Sequence, residues 1–507
     1  MNLVSSDMIG KIDEYASFIG IPTEALMHRA GKALEAAVRL KKEKGKKVLI
    51  LAGGGNNGGD GYALAYLINS DYSVTVVDVF DKGQRSEAGK YHYKKYLDNG
   101  GKKISGSQFS PFDYSDTDVI VDAIFGTGFS GDYPEELKRY VEFIRNSSAL
   151  KIAVDVPLGV KSDTGEVVSE FLYTADLTVC LSYVKAGLMS YPAKAYVGEL
   201  LNDNLSLPKE LIESEFSFDS FALDRDLVKE LLPNRDLDSH KGSFGKLLMI
   251  CGSDAYRGAA HLSLEAALRG GAGLVYFLGE SELCFELRLK YPEAVYIANE
   301  KRSTDELQSA LSYANRSDAV LIGSGSGRSE WLYRLIIALL RSDGCPLILD
   351  ADAINLLSEN REESLTALRH SSRKVVLTPH PLEFARISGL EVSAVQGARL
   401  DVAKRFAEDN CCTVVLKGAS TVVTDGRKTY INTTGSSALA KGGSGDVLAG
   451  FVASLSAFSD PLCASGAAVY LHGLAADTLS ETLSEFSVTP SDLPKEIGRQ
   501  IKSLTAL

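Results

Sequence analysis

Short runs of β-branched and aliphatic residues, separated by glycine-rich or polar turns and helical stretches, occur in two successive series along this 507-residue chain. The first series covers residues 47–52, 73–79, 119–123, 152–156 and 177–181. The second covers 245–251, 273–278, 319–322, 346–350, 374–378, 413–416 and 420–423. Short apolar runs without strict polar alternation are buried on both faces, as in a parallel sheet covered by helices. The expected fold class is α/β, with two three-layer α/β domains. A helix is expected over 22–42, with Pro22 near its first turn. From about 202 to 238 the pattern dissolves into polar and acidic residues with Pro208 and Pro233, a connection containing a short helix over 226–232.

Composition excludes several function classes. A net charge of -12 argues against a nucleic-acid or membrane-surface binder, which needs a basic face. No apolar run reaches the ~18 residues of a membrane span, and residues 1–7 lack a basic region followed by an apolar stretch, so no secretory signal is expected. Seven cysteines without a CxxC are not a disulfide framework, so a cytoplasmic protein is expected.

The strongest local feature is Gly53–Gly61 (GGGNNGGDG), between a strand and a helix. Glycines let backbone N–H groups turn toward an anion, and the helix start adds a favourable dipole. Neither a P-loop nor a regular GxGxxG is present. Two more strand ends carry carboxylates, Asp122 before Gly126-Thr127-Gly128 and Asp155 before Val156-Pro157-Leu158-Gly159. Asn57, Asp122 and the loop after Asp155 offer weakly charged oxygen donors, which suit a hard monovalent cation better than zinc or copper. Asp155 and Lys185 together make a proton donor–acceptor pair. The alternatives are a turn or capping role for Asp155 and an exposed surface lysine.

These residues resemble the NAD(P)H-hydrate epimerase domain family over residues 1–215, a Rossmann-like domain. The resemblance implies substrate contacts at Asn56, Asn57, Gly58, Gly59, Asp60, Gly126, Thr127, Gly128, Phe129, Ser130, Gly131, Asp132 and Asp155. It also implies K+ held by Asn57, Asp122 and residue 158. The family's usual serine there is Leu158 in this chain, so either its backbone carbonyl ligates the cation or cation binding is weakened.

The second half carries Lys441–Asp446 (KGGSGD) ahead of an apolar helix reaching about Leu455. Gly443, Ser444 and Gly445 can aim N–H groups at a phosphoryl group, and Asp446 can accept a proton from an attacking hydroxyl. Lys417–Thr421 (KGAST) is suited to cradle a nucleotide. His380 and Glu383 follow a strand, with ligand contact favoured for His380 over a structural role. Asp350 and Asp352 either serve the site or cap the next helix. In this order the set is similar to the ADP/ATP-dependent NAD(P)H-hydrate dehydratase family, of ribokinase-like fold, over residues 224–507. That resemblance implies nucleotide contacts at Lys417, Gly418, Ala419, Ser420, Thr421 and Gly445. It implies contacts to the hydrated dinucleotide at Ala259, Gly327, His380 and Asp446. Ser324 and Ser326 stand where the family usually has Pro and Leu.

Together the resemblances imply an enzyme that repairs hydrated NADH and NADPH: epimerisation of the R and S hydrates, and ADP-dependent dehydration of the S hydrate giving AMP and phosphate. Asp446, Asp155 and Lys185 are the expected catalytic residues, with K+ and Mg2+ as cofactors and ADP as co-substrate. A homo-oligomer with small-molecule substrates only is expected. The alternative is a ribokinase-like kinase for a vitamin precursor or sugar, with an N-terminal ligand-binding domain.

Overall fold

The structure is a computed structural model and describes residues 1–80, 85–129, 132–300 and 302–505. The chain divides into two compact units, Asn2–Ser220 and Phe221–Leu507, the latter taking Met1.

The first unit is built on seven parallel strands: β1 (Lys47–Ala52), β2 (Ser73–Asp78), β3 (Lys102–Ser105), β4 (Val119–Ala123), β5 (Leu150–Val154), β6 (Leu177–Leu181) and β7 (Glu199–Asp203). Their order is β3-β2-β1-β4-β5-β6-β7. Successive side chains of β1 serve opposite faces. Val48, Ile50 and Ala52 join a core with Leu26, Ala30 and Leu34 of α2 (Thr23–Lys41). Leu49 and Leu51 join a second core with Tyr140, Val141 and Ile144 of α5 (Lys138–Asn146). Helices α1 (Ser6–Phe18), α3 (Asn56–Ile68) and α4 (Glu87–Asp98) complete the unit's main helices. Five strands coincide with expected runs, with β5 beginning two residues early. The other two, β3 and β7, lie at the sheet edges and carry Lys102, Lys103, Glu199, Asn202 and Asp203, polar side chains that edge strands tolerate.

The second unit is built around the strands β8 (Lys246–Ile250), β9 (Leu274–Gly279), β10 (Val295–Ala298), β11 (Ala319–Ile322), β12 (Leu347–Leu349), β13 (Val375–Leu377), β14 (Thr413–Leu416), β15 (Val422–Thr424) and β16 (Thr429–Ile431). The order β10-β9-β8-β11-β12-β13-β14 is parallel, and β15 and β16 extend it antiparallel. The run expected over 420–423 starts as strand only at Val422, because Ser420 takes a left-handed φ of 53° and Thr421 Oγ1 donates to the Gly418 carbonyl. The connecting stretch holds helices Lys209–Glu215 and Arg225–Leu231. No helix among the described residues is long and apolar enough to cross a membrane.

Two further helices fix the second site from below. α6 (Arg257–Gly270) packs on α8 (Ser444–Ser456), where Ser454 Oγ donates to the Ala267 carbonyl at 2.8 Å. A Cβ at Gly450 would stand 2.1 Å from the Ser263 carbonyl oxygen. Gly450→Ala gains about 1 kcal/mol of helix propensity, but the collision with backbone cannot be relieved by a rotamer change, and overpacking costs about 1–3 kcal/mol. Denaturant unfolding is expected to show a net loss of stability for this variant, and unchanged or raised stability would contradict the packing described.

Candidate active sites

The strands of the first unit end level, with Ala52 beside Ala123, Asp122 beside Ala153 and Val154 beside Val179. The loops after β1, β4, β5 and β6 therefore leave from one edge. The strand order reverses between β1 and β4, which opens a crevice where α/β sheets bind ligands. The glycines of the first loop are used for close approach. A Cβ at Gly53 would lie 2.0 Å from the Ile124 carbonyl, and one at Gly58 would lie 2.0 Å from the Gly53 carbonyl. At Gly59 it would meet Met27 Cε at 2.5 Å.

A cavity of about 470 Å3 opens at this edge. It brings together Asn56, Asn57, Asp60, Gly126, Thr127, Gly128, Phe129, Asp155 and Lys185 of the expected residues. Gly58, Gly59, Asp122, Asp132 and Leu158 do not line it, and Ser130 and Gly131 lie outside the described residues. Phe129 stacks on Phe125 with ring centroids 4.0 Å apart, giving the cavity an aromatic wall. Sequence reasoning missed Asp13 of α1, Met27 of α2 and Ser182 after β6, which also line it. A signal for Asp13 existed: it falls on the stripe of Ile9, Ile12 and Ala16 that α1 buries.

Lys185 is fully buried and ion-paired with Asp155, and its Nζ also donates to the Leu181 carbonyl at 3.0 Å. It is thus no surface lysine. Asp155 adopts a left-handed φ of 67°, and its Oδ1 also accepts the Leu181 N–H at 3.1 Å. Burial, then the carboxyls of Asp155 and Asp13, raises Asp60 well above the ordinary carboxylate range, against the pull of Lys185. Asn57 Nδ2 and Ser182 Oγ are buried without a hydrogen-bond partner.

Asp122 sits behind the cavity with one oxygen accepting Tyr173 Oη–H at 2.7 Å and the Leu158 N–H at 2.9 Å, the other the Ile124 N–H at 3.1 Å. Burial raises its pKa, and these three donors oppose the rise. Leu158 places its side chain in the core and its N–H on Asp122. A carboxylate has about four acceptor positions, so capacity for a cation remains. Asn57 Oδ1 would be 3.3 Å from a Cβ added to Gly126, a tight approach of the amide to that turn. One amide oxygen, one carboxylate and one peptide carbonyl match a monovalent ion. Among the described residues no cluster of three His, Cys, Asp or Glu side chains forms a metal site.

In the second unit, register again does the positioning. Ile322 pairs with Leu349 and Leu349 with Leu377. The residues that follow these strands therefore meet: Asp350 accepts Ser324 Oγ–H at 2.9 Å, Thr378 Oγ1–H at 2.7 Å and Lys417 Nζ–H at 3.0 Å. Ser326 Oγ donates to the Ile250 carbonyl, and the Gly327 N–H donates to Asp352 at 2.9 Å. The two serines thus hold the turn that carries Gly327. Ala259 packs against the same turn, 2.7 Å from a Cβ added to Gly325.

Asp446 lies in the first turn of α8, whose leading N–H groups have no intrahelical acceptor. Gly443 caps that helix with a φ of 102°, a left-handed value that suits glycine. Burial, then Asp350, lifts Asp446 to about 7, against the pull of Lys417. For Lys417 burial opposes the charge, but Asp350, Glu383 and Asp446 outweigh it and raise the ammonium. Gly445 lies beside it, a Cβ there being 3.3 Å from Lys417 Nζ. Arg399, not singled out in the sequence, is buried beneath the Lys417–Thr421 loop and donates to the Leu416 and Lys417 carbonyls at 3.0 Å each.

His380 is the N-cap of α7 (Pro381–Ser388). Its Nδ1 accepts the Leu382 and Glu383 N–H groups at 3.2 Å, while Glu383 returns a bond from the His380 N–H. The ring proton therefore belongs on Nε2. Burial and Lys417 lower its pKa and favour the neutral ring. The histidine thus has a structural role through Nδ1, while its Nε2 faces Glu383 Oε1 at 3.3 Å.

Two α/β units, one with a buried lysine–carboxylate cavity and one with an amide-lined helix start beside a lysine and several carboxyls, define a two-site enzyme. Comparison with known proteins agrees. The family profile described as NAD(P)H-hydrate dehydratase matches residues 247–499, and that of the YjeF-related protein N-terminus matches 23–187. The bifunctional NAD(P)H-hydrate repair enzyme of Pyrobaculum aerophilum is 32% identical over 519 residues, covering 99% of this chain and 98% of that protein. The enzyme of the same name from Coxiella burnetii is 32% identical over 498 residues, covering 97% of each. A ribokinase-like superfamily protein from Enterococcus faecalis V583 superposes with a TM-score of 0.50 at 28% identity, covering 57% of this chain and 98% of that one. The chain belongs to the bifunctional NAD(P)H-hydrate repair enzyme family.

Asp446 is a base only above its pKa. An NMR titration of the carboxyl in the free protein is expected to find half-protonation at about 7. Asp350→Asn should move that midpoint down, since it removes a repelling charge and leaves Lys417 less neutralised. A wild-type midpoint in the ordinary carboxylate range would contradict the electrostatics described.

Proposed function

We propose that residues 1–215 interconvert the R and S hydrates of NADH and NADPH, and that residues 224–507 dehydrate the S hydrate at the expense of ADP, releasing AMP and phosphate. The observation that carries this reading is Asp446 at the amide-bearing start of α8, beside Lys417 and Asp350. Asp446 takes the proton of the ring hydroxyl, whose oxygen attacks the terminal phosphorus of ADP as the bond to AMP breaks. The Gly443–Gly445 amides stabilise the charge on the transferring group. The ring nitrogen's lone pair then expels phosphate from the carbinol carbon, and loss of a proton from the neighbouring carbon restores the ring double bond. Lys417, Gly418, Ala419, Ser420, Thr421 and Gly445 hold the nucleotide, and Ala259, Gly327, His380 and Asp446 hold the hydrate. Mg2+ entering with the nucleotide would neutralise phosphate charge.

In the first unit Asn56–Asp60, Gly126–Asp132 and Asp155 receive the hydrated ring and its phosphates, and the Asp155–Lys185 pair exchanges protons with it. K+ would be held by Asn57, Asp122 and the Leu158 carbonyl, supplying positive charge near the diphosphate. Seven free cysteines suit a reducing cytoplasm.

The test is to supply the S hydrate with ADP or with ATP and to follow regenerated NADH by absorbance. Faster recovery with ADP is expected. Phosphate appearing on another alcohol, without NADH, would instead favour a small-molecule kinase. Asp446→Asn is expected to lower the dehydration rate about 10²–10⁴-fold, the usual loss for a positioned base. Asp155→Ala should abolish R/S exchange and spare dehydration of the S hydrate. Wild-type exchange in that variant would refute the role given to Asp155.

A further inference from the structure

Asp13 is the group in the first cavity that neither the motifs nor the mechanism above uses. It lies on the face of α1 that buries Ile9, Ile12 and Ala16, and it lines the same cavity as Asp60, Asp155 and Lys185. The cation facing it is Lys185, which Asp155 already engages, and Asp60 of α3 adds another carboxyl. One ammonium, paired with Asp155, therefore shares the cavity with three carboxyls. Like charges gathered in one cavity disfavour each other's ionised form, so the half-buried Asp13 and the buried Asp60 both hold protons more readily than carboxyls in water. Asn57 Nδ2 and Ser182 Oγ, 7% and 2% exposed as residues, line the cavity without partners, which points independently to a polar ligand there.

We propose that Asp13 is a catalytic acid–base residue of the epimerisation, exchanging its proton with the hydroxyl on the ring's carbinol carbon. The proposal rests on reading this cavity as the epimerase site. In the forward direction the Asp13 carboxyl protonates that hydroxyl. The C–O bond breaks, its electron pair leaves with water, and the ring nitrogen's lone pair closes a C=N iminium. Water then adds to the other face of the carbon, the π pair returns to nitrogen, and the water's surplus proton passes to a carboxylate of the set. The reverse direction runs through the same species, so Asp13 has to work in both protonation states. Burial, opposed by Lys185 and assisted by Asp155, lifts it to about 6, where both forms are populated near neutrality.

The experiment uses the full chain with the R hydrate of NADH and no nucleotide, following the S hydrate by chromatography across pH. The wild type is expected to exceed the buffer-only rate, with a bend in its profile near 6. Asp13→Asn should slow exchange about 10²–10⁴-fold and remove the bend, while hydrate affinity and dehydration of the S hydrate persist. Asp13→Glu should recover part of the rate and a bend. Asp13→Asn exchanging within a few-fold of wild type with the bend intact overturns the proposal and leaves the epimerase reading standing. Loss of exchange in both variants together with hydrate affinity also overturns it, in favour of a structural role. A wild type no faster than buffer overturns the reading of the cavity itself.

Discussion

Withdrawal of a lysine from water at the end of a parallel strand, among more carboxyls than it can neutralise, organises both units. Lys185 meets Asp155 with Asp60 and Asp13 nearby, and Lys417 meets Asp350 with Glu383 and Asp446 nearby. At an effective dielectric of about 20, two charges 4 Å apart interact by about 4 kcal/mol, against about 1 kcal/mol in bulk water. That is enough to hold one ion pair. It is too little to keep every neighbouring carboxyl ionised once burial removes hydration. The surplus carboxyls therefore rise toward neutrality, Asp446 to about 7 and Asp13 to about 6. Proton-transfer groups tuned to working pH follow from a charge imbalance and need no specialised residue type.

The backbone contributes by bending sharply where the strands stop. Asp155 and Ser182 in the first unit, and Ala351 and Ser420 in the second, have left-handed φ values of 67°, 70°, 43° and 53°. Such conformations cost roughly 1–2 kcal/mol in a residue with a Cβ. They persist because hydrogen bonds over-determine them: the Asp155 N–H donates to the Val179 carbonyl at 2.8 Å, and Arg399 holds the two carbonyls just ahead of the Ser420 turn. The strain sits beside the chemistry, and the sheet offsets it.

Much of this was legible in the sequence. Buried strands announce themselves by unbroken β-branched runs, so β1, β2, β4 and β6 and most of the second sheet can be read directly. The edge strands β3 and β7 cannot, because their lysines, glutamate and aspartate follow solvent exposure and not strand pairing. Motif residues on strand-end loops, such as Asp155, Lys417 and Asp446, are visible because glycine and carboxylate coincide there. Asp13 and Arg399 are hidden for a different reason. Each reaches its site through tertiary packing from a helix, with no local pattern beyond one charged residue on an apolar stripe. His380 shows the converse: a lone histidine after a strand reads as a ligand, yet one of its nitrogens caps α7.

The tight loop after β1 also separates what preserves the fold from what preserves the chemistry. Carbonyl oxygens stand about where side chains at positions 53 and 58 would begin, and Met27 closes on position 59. A descendant that had lost its reaction would still have to keep those slender residues in order to fold, whereas nothing in the packing would oblige it to retain Asn57, Asp60 or Asp13. Glycine content alone is therefore a poor guide to whether such a protein is still an enzyme.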